Sequence, residues 1–219
     1  MSLVLYFGPG ACSFVPHVML EASGQEYEPR MVKLHKGEQR EAEFLRLNPN
    51  GQVPVLVHDG HAITQIVAIA LHLDALFPDK GFLPRAGLAR THALELLTWM
   101  NNTMHTTFTH VFMPGKFTSD EAAQGHIKAT AKEQFAGLLS RLQARVDEIL
   151  GSGQTWLAGP HIGPLDAYAL TLLRWGTLAG IDPQTLPTLW AFVQRVAQEP
   201  SVARVIERER LVLNLYKPA

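Results

Sequence analysis

The chain has 219 residues, of which 47% are hydrophobic and 18% charged, and a formal net charge of -1. These values describe an ordinary globular protein of one or two domains with a substantial core. The scattered Lys and Arg argue against nucleic acid or an anionic membrane as partner, and no apolar run approaches the roughly 20 residues of a membrane span. The N-terminus enters a strand pattern directly, without the basic start and cleavage site of a signal peptide. Cys12 is the only cysteine, so no disulfide framework exists and a reducing cytoplasm is the expected location. Ten histidines are present, but no His-x-x-x-His or Cys-x-x-Cys spacing points to a metal.

In chain order, Leu3 to Phe7 reads as a buried strand that breaks at Gly8-Pro9-Gly10. Phe14, Val15, Val18, Met19 and Ala22 then recur at helical spacing, from a start at Ser13 to a stop at Gly24. A second strand is expected around Met31 to Leu34, and a short helix over Glu41 to Leu47 before the turn cluster Asn48-Pro49-Asn50-Gly51. Val53 to Val57 and His61 to Ile63 flank Asp59-Gly60, a hairpin signal. Ile66, Ile69, Ala70, Leu73 and Phe77 make another amphipathic helix. The order βαβ, short helix, ββα implies a small mixed sheet covered by helices.

Pro78 to Pro84 is a punctuated connector, and beyond it no strand is expected. Helical periodicity runs over Leu88 to Phe112, Ser119 to Leu150, Leu165 to Ala179 and Leu189 to Glu199. The second half therefore reads as all-helical, with proline turns such as Pro183, Pro187 and Pro200 as breaks.

Five places could carry chemistry. Cys12 stands where a helix begins, and the positive end of the helix dipole favours a thiolate; a lone cysteine is equally an inert buried residue. Val53-Pro54 is either a trans proline that opens a strand or a cis bond that turns the Val53 amide and carbonyl outward to a peptide-like ligand. Thr64-Gln65 is a helix cap or, through the free amides behind it, a carboxylate site. His105 shares a helix face with Asn101, Asn102 and Thr98, which is a cleft lining or a solvated stripe. Gly163-Pro164-Leu165-Asp166 reads as a helix start in which Asp166 is a capping carboxylate.

The fragments Gly10-Ala11-Cys12-Ser13 with Pro16-His17, Asn48-Pro49-x-Gly51-x-Val53-Pro54, and Ile63-Thr64-Gln65 with Val67-Ala68-Ile69 occur in order. His105-x-x-Phe108-x-x-x-Phe112, Leu165-Asp166-x-Tyr168 and Arg195-Val196 before Pro200 complete the series. Together they resemble the cytosolic glutathione transferases, and the bacterial beta class most closely. The resemblance implies a thioredoxin-like, glutathione-binding domain over residues 1–79, a linker at 80–88 and an all-α electrophile-site domain over 89–219, assembled as a homodimer. It implies glutathione as co-substrate, with no other cofactor and no metal. Carried over residue by residue, Cys12 meets the glutathione sulfur, by a mixed disulfide or by a hydrogen bond to its thiolate. Val53, before a cis Pro54, pairs with the cysteinyl backbone; Gln65 holds the γ-glutamyl end; His105 faces the electrophile close to the sulfur. Gln52, Ile66 and one of His35 and Lys36 complete the glutathione set. Phe7, Pro9, Met104, His105, Phe108 and Phe112 line the electrophile pocket, which suits a hydrophobic or aromatic partner.

The chain departs from the family at Gln65-Ile66, where an acid and then a serine are usual. Losing a hydroxyl that binds the γ-glutamyl carboxylate costs roughly 1.5–3 kcal/mol, about ten- to a hundredfold in affinity. That departure keeps open a second function, a binding or stress protein of the same fold with altered ligand preference. Isomerase or dehalogenase chemistry on the same scaffold is a third.

Overall fold

The computed structural model describes residues 1–218. Alternation in Leu3–Phe7 (β1) buries Leu3, Leu5 and Phe7 beneath α1, Phe14–Ser23. Gly24 ends α1 with φ 70°, the left-handed conformation that glycine adopts without a Cβ penalty. β2 spans Glu28–Met31, and α2 spans Ala42–Leu47. Val55–His58 (β3) and His61–Thr64 (β4) form the expected hairpin, with φ of 46° at Asp59 and 82° at Gly60. Two consecutive positive φ values are what a two-residue turn between twisted strands requires. The sheet order is β2-β1-β3-β4, with β1 and β2 parallel and the other pairs antiparallel. Ile66–Leu76 (α3) then packs beside α1 on the sheet.

The second strand lies three residues earlier than the sequence pattern suggests. All four residues of β2 are exposed, so it carries no apolar alternation, and Pro29 sits on it as only an edge strand allows. The alternation at Val32 and Leu34 belongs instead to the exit of the edge: Val32 N–H still bonds Phe7 O at 2.7 Å, but its side chain packs with Phe44 and Val55.

The rest is helical. Gly87–Trp99 (α4) runs through a π-helical turn, Met100–Met104, into His105–Phe112 (α5). Glu121–Gly151 (α6), Pro164–Leu178 (α7), Pro187–Gln198 (α8) and Pro200–Glu209 (α9) follow. The last was not expected, because Pro200 reads as a stop; here it occupies a first-turn position, where its missing N–H costs nothing. Glu199 caps that turn, accepting from the amides of Ser201 and Val202.

Within α7, Arg174 alone among residues 164–177 escapes full burial. Asp166 caps it as anticipated: its carboxylate accepts from Gly163 N and Leu157 N, both at 2.8 Å. α1 packs on both α7 and α9, so one apolar core runs from the sheet into the helical half. Among the described residues no helix is long and apolar enough to cross a membrane.

Candidate active site

After β1 the chain folds back on itself. Ala11 N–H bonds Gly8 O, and Ser13 Oγ accepts from Gly8 N at 3.1 Å while lying 3.2 Å from Gly8 O. This knot brings Cys12 to the entry of α1, buried at 9% exposure, with Sγ 3.5 Å from Val53 O. Burial pushes the Cys12 thiol up to about 12. The amides of Cys12 and Ser13 pull it down without reversing that, and the negative charge of Glu209 adds to the rise. The expectation of a dipole-activated thiolate is therefore corrected: desolvation outweighs the helix end, and at neutral pH the sulfur carries its proton.

Val53-Pro54 is cis, and the Val53 carbonyl faces Cys12. On the far side of the hairpin, Gln65 takes φ 72° and ψ 124°, a conformation that a residue with a side chain seldom adopts. It starts α3 with its side chain exposed, and the first amides of that helix lie beyond it.

His105 follows directly on the π-helical turn, an element frequent at functional sites. Its Nδ1 is 2.8 Å from Tyr168 Oη, and Tyr168 O–H lies 3.2 Å from Asn101 Oδ1. Asn101 Nδ2 is occupied by Asn102, so Asn101 offers Tyr168 an acceptor. The consistent assignment sends protons one way: His105 Nδ1–H donates to Tyr168, and Tyr168 donates to Asn101. His105 Nε2 is left as an acceptor. Burial, with the charge of Lys116 adding, lowers the His105 pKa to about 4, so the ring is neutral at pH 7. Trp175 packs on His105 at 4.8 Å and stacks on Phe108 at 4.6 Å, and Phe108 stacks on Phe112 at 5.9 Å. Phe112 is 60% exposed, so a run of aromatic planes leads from His105 to solvent.

Several anticipated residues stand elsewhere. Phe7 is buried against His17, with ring centroids 4.6 Å apart, and Met104 is wholly buried; neither offers a pocket surface. β1 alternation and the inward side of the π turn account for both. Ile66 is 4% exposed and packs in the core, so it can supply only its amide. His35 and Lys36 are exposed on the turn after β2, and Gln52 is exposed with its carbonyl accepting from Asn48. Pro9 is exposed beside the Cys12 loop. Trp175 and Tyr168 were missed as site residues. The available signal was an Arg-Trp pair and a tyrosine set in an otherwise apolar helix.

A four-stranded thioredoxin-like sheet with a cis proline facing a cysteine, joined to a helical bundle, defines the two-part fold of glutathione transferases. Residues 1–75 match the family described as Glutathione S-transferase, N-terminal domain. Glutathione S-transferase GST-4.5 of Xanthomonas campestris pv. campestris is 33% identical, over 94% of this chain and 98% of that protein. Protein LigF of Sphingobium is 44% identical, over 96% of this chain and 95% of LigF. A sphingomonad glutathione S-transferase solved with glutathione superposes with a TM-score of 0.80 at 32% identity, over 95% of this chain and all of the other. The chain belongs to the glutathione S-transferase family and is a transferase that uses glutathione as co-substrate.

Proposed function

We propose that this transferase joins glutathione to hydrophobic, aromatic electrophiles, with residues 1–79 holding glutathione and residues 89–219 walling the electrophile. The observation that carries this reading is the buried Cys12 thiol opposite the Val53 carbonyl, on the loop whose Gly10 carbonyl accepts from Trp175, the inner member of the aromatic run to Phe112. The Val53 backbone pairs with the cysteinyl residue of glutathione. Gln65 and the amides opening α3 take the γ-glutamyl end. Cys12, held protonated by burial, donates a hydrogen bond to the glutathione sulfur and favours its thiolate. The thiol proton leaves to solvent, and His105 Nε2, neutral and unencumbered by the Tyr168 bond, offers a hydrogen-bond acceptor on the electrophile side. The thiolate then forms the sulfur–carbon bond as the electrophile's leaving group departs. Lowering the glutathione thiol pKa by about two units takes about 2.7 kcal/mol of thiolate stabilisation, within reach of a helix end plus one or two charge-assisted hydrogen bonds. Thiol exchange through Cys12 is disfavoured, because it needs the thiolate that burial suppresses. Assembly as a homodimer belongs to the same proposal and is read by sedimentation.

The test combines calorimetric titration with glutathione and a conjugation assay with chlorodinitrobenzene. Parent protein should bind glutathione. Cys12→Ala should lose roughly ten- to a hundredfold in kcat, while Cys12→Ser, which keeps an O–H donor, should lose less. An unchanged kcat in Cys12→Ala sinks the role given to the thiol.

A further inference from the structure

Glu209, the last residue of α9, crosses to the loop that carries Cys12. Its Oε2 accepts from Gly10 N–H at 2.8 Å, and its Oε1 meets His17 Nδ1 at 2.7 Å. Both side chains are wholly buried. His17 Nε2 faces the Arg208 guanidinium at 3.4 Å, so the ring proton belongs on Nδ1, pointed at Glu209. Gly10 is held from the other side too: its carbonyl accepts from Trp175 Nε1 at 3.0 Å and Arg174 Nη1 at 3.4 Å. Its amide and its carbonyl are thus both fixed by residues about 160 to 200 positions away, and Cys12 lies two residues further on.

Anchoring α9 does not call for this carboxylate. Val202 and Val205 pack in the core, and Arg204 Nε bonds Glu21 Oε1 at 2.5 Å across α9 and α1. A buried carboxylate costs desolvation that well-packed apolar side chains avoid, so its presence is not explained by stability alone. What it adds is the hold on the Gly10 amide, opposite the bonds from Trp175 and Arg174 to the Gly10 carbonyl.

We propose that Glu209, oriented by His17, is a positioning residue for the transferase reaction: it fixes the Gly10–Cys12 loop so that the sulfur stands at the reacting centre. The inference rests on the role given to Cys12 above. Displacements of about an ångström from the reactive geometry cost up to about a hundredfold in rate, so a loop clamp this close to the sulfur should register in turnover.

The test uses the full-length protein and three variants. Glu209→Gln keeps the size but cannot accept from both Gly10 N–H and His17 Nδ1–H. It should lower kcat at saturating glutathione and chlorodinitrobenzene by about tenfold or more, with the glutathione KM within about threefold. Cys12 in the same variant should react with iodoacetamide at pH 8 about tenfold faster, the loop being freed and a nearby negative charge removed. Arg204→Gln, which loosens α9 without touching the loop, should lower the melting temperature and leave both rates alone. Unchanged kcat and alkylation in folded Glu209→Gln, or the same losses in Arg204→Gln, would overturn the proposal. If Glu209→Gln does not fold, His17→Asn, too short to hold the carboxylate, should show both effects in smaller measure, and normal rates there would overturn it equally. Full activity in Cys12→Ala would remove the role of the thiol alone, because the alkylation rates report the loop whatever Cys12 does.

Discussion

At neutral pH the Cys12 sulfur holds its proton, because burial lifts its pKa to about 12, whereas an unperturbed thiol sits near 8.5. Alkylation of native protein by iodoacetamide at pH 7 should therefore run at least about a hundredfold slower than that of free cysteine. A rate within a few-fold of free cysteine would contradict the protonated-donor role. His105 titrates in the opposite sense. Its folded pKa of about 4 lies below the usual 6.5, because burial first and Lys116 second penalise the charged ring. Folding therefore favours the neutral form: the stability from His105 is complete above about pH 6.5 and is lost as the pH falls toward 4, by at most about 3 kcal/mol. Melting curves of wild type and His105→Gln should converge as the pH drops from 7 to 4.5, since only the wild type pays to protonate the ring. The hydrogen-bonded line His105, Tyr168, Asn101 makes a further point. Tyr168→Phe frees the Nδ1 proton to seek another acceptor, and kcat should fall about tenfold with the glutathione KM little changed.

Among the elements, β1, α1, the hairpin and the long helices were legible because their periods of 2 and 3.6 residues coincide with real burial. β2 was misplaced since an exposed edge leaves no apolar pattern to read, and α9 was overlooked since a proline marks a helix start as readily as a stop. The candidate site draws attention in the sequence where the chemistry is local, at Cys12, Val53-Pro54, Gln65 and His105. It was illegible where long-range packing does the work, as with Trp175 and Glu209, which reach the same loop from distant helices. Ile66 shows how position alone misleads. Its place next to Gln65 in sequence points it at the ligand, yet α3 turns it into the core. Ile66→Ser should thus lower stability by about 2–5 kcal/mol and leave glutathione affinity unimproved, measured by urea unfolding and calorimetry. Tighter binding in that variant would restore the direct-contact role.

For the molecule as a whole, the apolar core is continuous from β1 through α1 into α7, α8 and α9, and the Arg204–Glu21 and Glu209–His17 pairs cross the same boundary. The sheet half and the helical half should consequently unfold together. All four tryptophans lie in the helical half and the one cysteine in the sheet half, so each half has its own probe. Urea transitions followed by tryptophan emission and by Cys12 labelling should share a midpoint, and separate midpoints would show two independent units. One of those tryptophans has a second use. The Trp175 indole is bonded to the loop leading to Cys12 and sandwiched by His105 and Phe108, whereas Trp99, Trp156 and Trp190 lie only partly buried elsewhere. Its emission colour and intensity depend on that indole bond and on nearby quenchers, so the protein carries an intrinsic optical gauge of occupancy, readable without label or coupled assay as each substrate enters.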